Sequence, residues 1–379
     1  MQRSIRCLLA AMLILAMALS GCGGGGKTSG GSGNTPKSGN SSGNAGGNSG
    51  GNSGGNFTPY AAEDASKLVP LNGDDGIAVT DTKTKASNGI LVAGDTGYEM
   101  YGFSEGIANQ YINCVKKANQ TLGGTANIYD MVIPTAMDTT MPDALRKTVK
   151  SGDQREAIDY IYKAIGNDAK CINIMDTLRQ HKKEYLYFRT DHHWTALGAY
   201  YAYVELCKAM GKEPHNINDF EKVTFAGFVG SFYTHTKDQN LLNNPDTVEA
   251  FAPKGTNDMK FTDKDGKETS WKVIKDVDNW AAGTKYNTFI GGDNPWSVID
   301  NPKVTDGSSC LVIKESFGNA MIPFLVDHDQ HIYIVDYRYY TGSIKDLYST
   351  YKFKDVIILS AISAGMGSNN LTKLDAFLK

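Results

Sequence analysis

Two short stretches carry side chains able to do acid–base or nucleophilic chemistry. In FRTDHHWTALGA (188–199), Asp191, His192 and His193 are consecutive, and in LVIKESFGNA (311–320) a serine, Ser316, follows an apolar run. In extended backbone, side chains two apart share a face, so Asp191 and His193 point one way and His192 and Trp194 the other. A carboxylate beside an imidazole accepts the Nδ1 proton, fixes the tautomer and leaves Nε2 as a general base. Ser316 stands where a strand-to-helix turn exposes a hydroxyl and where helix amides offer positive potential to an oxyanion. Each stretch also has a bland reading. Aspartate and serine are favoured N-caps, and the triplet reads equally as a helix-entry turn. A third reading is a metal site. Hard divalent ions need several converging oxygen or imidazole ligands, yet between residues 57 and 190 His181 is the lone histidine and no Asp-x-Asp occurs. No metal or other cofactor is expected.

The elements around these residues decide whether they can meet. GILVAGD (89–95), IYDMVIP, CINIMD and YLYFR (185–189) read as strands. AIDYIYKAI, TLRQHK and TALGAYYAYVELCKAMG read as helices, the last with Thr195 as N-cap and Gly211 as terminator. Between about 220 and 300 the pattern turns strand-like with a hairpin signal at Asp265-Gly266, an antiparallel β insertion. CLVI, a helix from about 317, HIYIVD, DVIILSA and a final helix restore the alternation. Strands alternating with helices imply an α/β fold whose mostly parallel sheet is covered on both faces. Ligands in such sheets sit beyond the carboxyl ends of strands, where both stretches are expected to lie. GDTGYEM (94–100) reads as a structural strand end.

The N-terminus indicates the compartment. Arg3 and Arg6, the run LLAAMLILAMAL and a small-residue end make residues 1–21 an export signal. Leu19-Ser20-Gly21-Cys22 resembles a bacterial lipobox, which implies lipidation of Cys22 and anchoring at the extracytoplasmic face of the cell membrane. Residues 22–56 are almost wholly Gly, Ser and Asn, a tether with a reach of about 30–35 Å. The body is expected to span 57–379. The formal charge of −3 gives no basic footprint for nucleic acid. Cys114, Cys171, Cys207 and Cys310 fall in apolar periodic segments without zinc or redox spacing and read as buried free thiols. His215, His235, His328 and His331 read as surface or loop residues. Tyr337, Tyr339 and Tyr340 read as strand-end core, with a sugar-stacking platform as the alternative.

RTDHHW followed by KESFGNAMIPFL resembles the bacterial DHHW family, itself similar to the SGNH-hydrolase-like alginate O-acetyltransferases. YNTFIGGDNP (286–295) and VDYRYY (335–340) also look like family segments, and the resemblance covers roughly 85–375. It implies a three-layer SGNH-like sandwich in circularly permuted order, because Asp191-x-His193 precedes Ser316. Ser316 would be the nucleophile, His193 the base and Asp191 the orienting acid. Gly291, Gly292 and Asn319 are candidate oxyanion donors. Arg338 would bind an anionic substrate group or pair with Glu315. The sequence departs from the SGNH pattern where Lys314-Glu315 replaces the Gly-Asp that precedes the nucleophile. The implied activity is O-acetylation of a cell-wall or secreted polysaccharide, with acetyl groups from a membrane-bound O-acyltransferase. An acetylesterase of the same fold, or a catalytically silent glycan-binding lipoprotein, is the alternative.

Overall fold

The computed structural model describes residues 84–379. The expected signal, Cys22, the tether and the first residues of the body lie outside the described residues. Strands β1 (Thr84–Ser87), β2 (Ile90–Ala93) and β3 (Thr96–Glu99) form a small antiparallel sheet. The principal sheet takes β4 (Asn127–Ile133) and β5 (Lys170–Cys171) from the first half of the body. Strands β6 (Glu221–Phe228) and β7 (Asp246–Ala252) pair with each other apart from it. The second half adds β8 (Asp258–Thr262), β9 (Glu268–Lys272), β10 (Trp296–Asp300), β11 (Ser309–Lys314), β12 (His331–Asp336) and β13 (Asp355–Ala361). Their order is β5-β4-β13-β11-β12-β10-β8-β9. The first five strands are parallel and the last three are antiparallel additions at one edge.

Alternation along the parallel strands builds two cores, one on each face. On β11, Cys310 and Val312 face one core while Leu311 and Ile313 face the other; on β13, Ile357 and Leu359 part from Val356 and Ile358 in the same way. Helices α1 (Glu105–Leu122), α2 (Gln154–Ile165), α4 (Ile344–Tyr351) and α5 (Ser368–Phe377) cover the second face; α3 (Ala196–Met210) covers the first. This is the expected α/β three-layer sandwich. Local signals place its helices. Ser104 caps α1, Asp153 caps α2 through the amides of Arg155 and Glu156, and Thr195 caps α3, which Gly211 ends as expected.

Three expectations change. Residues 185–189 join no sheet and make one isolated bridge, Tyr187 to Trp194. The Asp246 carboxylate takes the amides of Arg189 and Thr190, the amide of Phe188 turns back to the carbonyl of His193, and a single β3 amide, that of Gly97, reaches the Arg189 carbonyl, so no ladder forms. The helix expected from about 317 is a tight 3₁₀ turn (Ser316–Ala320) followed by a short helix (Ile322–Leu325) with Pro323 in its first turn. Finally, the strands of the 220–300 region divide: β8, β9 and β10 extend the principal sheet, and β6 with β7 stands apart.

One buried carboxyl gives a stability test. Asp130, on β4, accepts a hydrogen bond from Tyr111 Oη at 2.5 Å, and its Oδ2 has no partner among the described residues. Burial raises its pKa to about 7, against the lowering effect of Tyr111. A carboxyl raised on folding binds more protons folded than unfolded, so it makes stability fall as pH rises from about 4 to 7. We expect Asp130→Asn to flatten that fall in thermal unfolding. An unchanged slope would show that the group is ionised throughout.

Candidate active site

The DHHW stretch and the Ser316 turn, 123 positions apart, meet at the carboxyl rim of the sheet. His193 Nε2 lies 2.8 Å from Ser316 Oγ, and His193 Nδ1 lies 2.6 Å from Asp191 Oδ1. Asp191 and His193 are buried, while Ser316 is partly exposed. The serine is therefore open to a substrate, and its partners are shielded from water.

Each group is held from several directions. Asp191 Oδ1 also accepts the amide of His193 (3.0 Å), and Oδ2 accepts the amide of Ser231 (2.7 Å). Burial alone would raise the Asp191 pKa. The neighbouring imidazoles of His193 and His192, with the hydrogen bonds from His193 and Ser231, reverse this and hold the carboxyl well below its usual range. It therefore remains a charged acceptor for the Nδ1 proton. Gly230 makes the close approach of the Ser231 amide possible. A Cβ there would lie 2.3 Å from Asp191 Cβ and Oδ2. Gly230→Ala must displace this carboxylate, at a cost of about 1–3 kcal/mol for overpacking. We expect a lower Tm; a wild-type value would show that the segment is compliant.

The His193 ring stacks on Tyr286 at 4.1 Å and 11°, and the His192 ring lies tilted against it at 3.9 Å and 35°. Tyr286 also donates from Oη to the carbonyl of Ser316 (3.0 Å), and burial, with nearby Asp191, holds its phenol protonated. His192 directs Nδ1 to Ser231 Oγ (2.6 Å). The tryptophan of the motif is fully buried and donates from Nε1 to the carbonyl of Phe317 (2.8 Å). Trp194 thus ties the histidine loop to the serine turn one residue beyond the His193–Ser316 contact.

Glu315 organises the turn itself. Its Oε2 accepts the amide of Phe317 (3.2 Å) and lies 3.3 Å from Ser316 Oγ; its Oε1 accepts the amide of Ala361 (3.1 Å), at the end of β13. Burial raises its pKa despite nearby Arg338. Lys314, fully buried, pairs with Asp336 (3.0 Å).

The other expected site residues take different roles. Arg338 pairs with Asp336 (2.7 Å) and Asp293 (2.8 Å), not with Glu315 or a free anion site. Burial would raise the Asp293 pKa, but Lys314 and Arg338 bring it down to about 2. Asn319 is buried and donates from Nδ2 to Asp293 Oδ1 (3.0 Å); its Oδ1 has no partner among the described residues. Gly292 spends its amide on the carbonyl of Phe289 (3.0 Å), so it is no oxyanion donor. Gly291 and Gly292 have φ of 72° and 83° and serve a left-handed turn. That turn delivers Tyr286 and Asp293 to the serine segment, two residues that spacing alone did not single out. Asp246, which fixes the approach to Asp191, gave no local signal either.

Asp191, His192 and His193 are the group among the described residues whose ligand atoms lie close enough for a metal ion. Their atoms are already engaged: both ring nitrogens of His193, Nδ1 of His192 and both oxygens of Asp191. Asp95 bonds Thr96 and Arg189, in keeping with a structural role for GDTGYEM. Cys114, Cys207 and Cys310 are free and buried, and Cys171 is free and half-buried. His215, His328 and His331 are half-buried, His328 against the hydroxyl of Tyr203 (2.5 Å), and His235 is exposed. Tyr337 is core, whereas Tyr339 is exposed.

A three-layer α/β sandwich with Ser, His and Asp joined at the carboxyl rim defines the class. The chain belongs to the DHHW protein family, whose model matches residues 72–335. A DHHW family protein from Eubacterium siraeum shares 27% identity and a TM-score of 0.70, over 79% of this chain and 97% of that one. Bacillus cereus PatB1 aligns at 20% identity and a TM-score of 0.62, over 76% of this chain and 98% of its own. PatB1 with a sulfonyl adduct gives 19% and 0.61, over 78% and 98%. No curated protein matches the sequence.

Proposed function

We propose that this protein is a serine O-acyltransferase that acetylates a polysaccharide outside the cytoplasm. The observation that carries this reading is the hydrogen-bonded chain from buried Asp191 through His193 to the partly exposed hydroxyl of Ser316. In the first half-reaction, Ser316 Oγ attacks an acetyl ester while His193 Nε2 takes the hydroxyl proton. Collapse of the tetrahedral intermediate expels the donor alcohol, which receives that proton, and leaves acetyl-Ser316. In the second, a sugar hydroxyl gives its proton to His193 and attacks the acetyl carbonyl. Ser316 leaves and is reprotonated by His193. The buried carboxylate of Asp191 stabilises the imidazolium in both steps.

The proposal extends to location and donor. Attachment would be through lipidated Cys22, at the extracytoplasmic face of a bacterial cell membrane; the lipobox-like Leu19-Ser20-Gly21-Cys22 supports this reading. A membrane-bound O-acyltransferase would bring acetyl groups across to Ser316. An acetylesterase of this fold would run the same first half-reaction and differ in using water for the second. Incubating the body with an acetyl ester and candidate glycans separates them. We expect acetylated glycan; free acetate alone, with every glycan unmodified, would make the protein an esterase.

A further inference from the structure

Where β13 ends at the carboxyl rim, a cleft of about 200 Å³ opens between the β3–α1 loop and the loop after β13. Its walls include Met100, Tyr101, Gly102, Ser104, Ile362 and Ser363. The connection to the catalytic groups is short. Ser316 Oγ is 3.3 Å from one oxygen of Glu315, the other oxygen accepts the amide of Ala361, and Ile362 and Ser363 follow directly. Glu99, which ends β3, receives a hydrogen bond from Ser363 Oγ (2.7 Å) and acts electrostatically on His192. Phe103, between two lining residues, is 45% exposed with its ring edge-on to Tyr160.

These features fit a sugar ring. The volume is below the roughly 300–1,000 Å³ of sites for drug-sized ligands, so it suits one ring. Apolar walls cover the C–H faces of a pyranose, an exposed aromatic lies at the edge, and serine hydroxyls with a carboxylate offer acceptors and donors for hydroxyl groups. The charge is one-sided. No lysine or arginine lines the cleft, and the carboxylate beside it belongs to Glu99. A uronate or phosphate group would meet like charge with no cation to offset it.

We propose that this cleft is the acceptor subsite and that it takes a neutral or amino-bearing pyranose, excluding acidic sugars. The assignment rests on the acyltransferase reading, naming the acceptor class for that same site. The test uses the 57–379 body, an artificial acetyl ester as donor, and two probes: N-acetylglucosamine tetramer and galacturonate tetramer. Saccharide binding is measured by calorimetry on Ser316→Ala, independently of turnover. Binding and acetylation of the neutral tetramer, without the acidic one, are the expected results. The blocking variant is Gly102→Phe, because Gly102 lines the cleft and a Cβ there meets nothing within 4 Å, so a ring can be added at the wall without disturbing the core. It should lower saccharide affinity by about tenfold or more and leave turnover of the small ester in water unchanged. Glu99→Lys should admit the acidic tetramer. Binding of the acidic tetramer by the unmodified cleft, or neutral binding that survives Gly102→Phe, overturns the subsite. Saccharide binding with no ester turnover by wild type would overturn the acyltransferase reading and leave the subsite standing.

Discussion

Ser316→Ala is expected to abolish acetyl-ester turnover, with a loss on the order of 10⁶-fold, the scale seen when a serine nucleophile is deleted. The geometry gives the reason. Ser316 Oγ is the atom that His193 Nε2 touches, at 2.8 Å, and the other acceptor beside it among the described residues, Glu315 Oε2, lies farther off at 3.3 Å and already holds the amide of Phe317. Removing the hydroxyl removes the proposed nucleophile and leaves the contacts that hold the turn. The turn is held by Glu315, by the Trp194–Phe317 bond and by Tyr286 on the Ser316 carbonyl, all of which the alanine variant keeps. Turnover should therefore vanish while Tm stays close to wild type. Retained turnover in a folded Ser316→Ala protein would mean that another group attacks the ester.

Asp191→Asn carries the second large effect, a fall of about 10⁴-fold in turnover, the magnitude associated with presenting the wrong partner to a triad imidazole. An amide cannot replace this carboxylate in either orientation. Oδ1 accepts from the amide and Nδ1 of His193, and Oδ2 accepts from the amide of Ser231. Whichever way the asparagine is turned, its NH₂ group faces a donor. If it faces His193, the imidazole is driven to the tautomer with its proton on Nε2, which cannot accept from Ser316. If it faces Ser231, a buried amide loses its partner, at a cost of about 1–3 kcal/mol. Unlike the serine variant, this one should lose stability as well. The carboxyl is lowered on folding, so its stabilising contribution stands above about pH 4 and disappears as pH falls toward the folded value. Loss of turnover with wild-type stability across that range would leave the hydrogen-bond account without support.

Much of this site was legible because its parts are short and contiguous. Asp191 and His193 are two apart and Ser316 ends an apolar strand, so local geometry and burial sufficed to mark them. The sheet was legible through the two-sided alternation of β11, β12 and β13. The failures share a cause. Residues 185–189 look like a strand because Tyr185, Leu186, Tyr187 and Phe188 make an apolar run, yet the amides of Leu186 and Phe188 bond to nearby backbone carbonyls and that of Arg189 goes to a carboxylate 57 positions away, Asp246. Tyr286 is one of 20 tyrosines, and nothing local distinguishes the one that covers an imidazole. Arg338 was expected to bind an anionic substrate group or to pair with Glu315, but it pairs with Asp336 and Asp293. Charge pairing between distant loops leaves no periodic trace in a sequence.

The most direct measurement is covalent labelling of the body with a phenylmethyl sulfonyl fluoride, followed by peptide mapping. The account predicts one sulfonyl group on Ser316 in the wild-type protein and a markedly slower reaction in His193→Ala. A folded wild-type protein that stays unlabelled, or that takes the sulfonyl group on a different side chain, would contradict it.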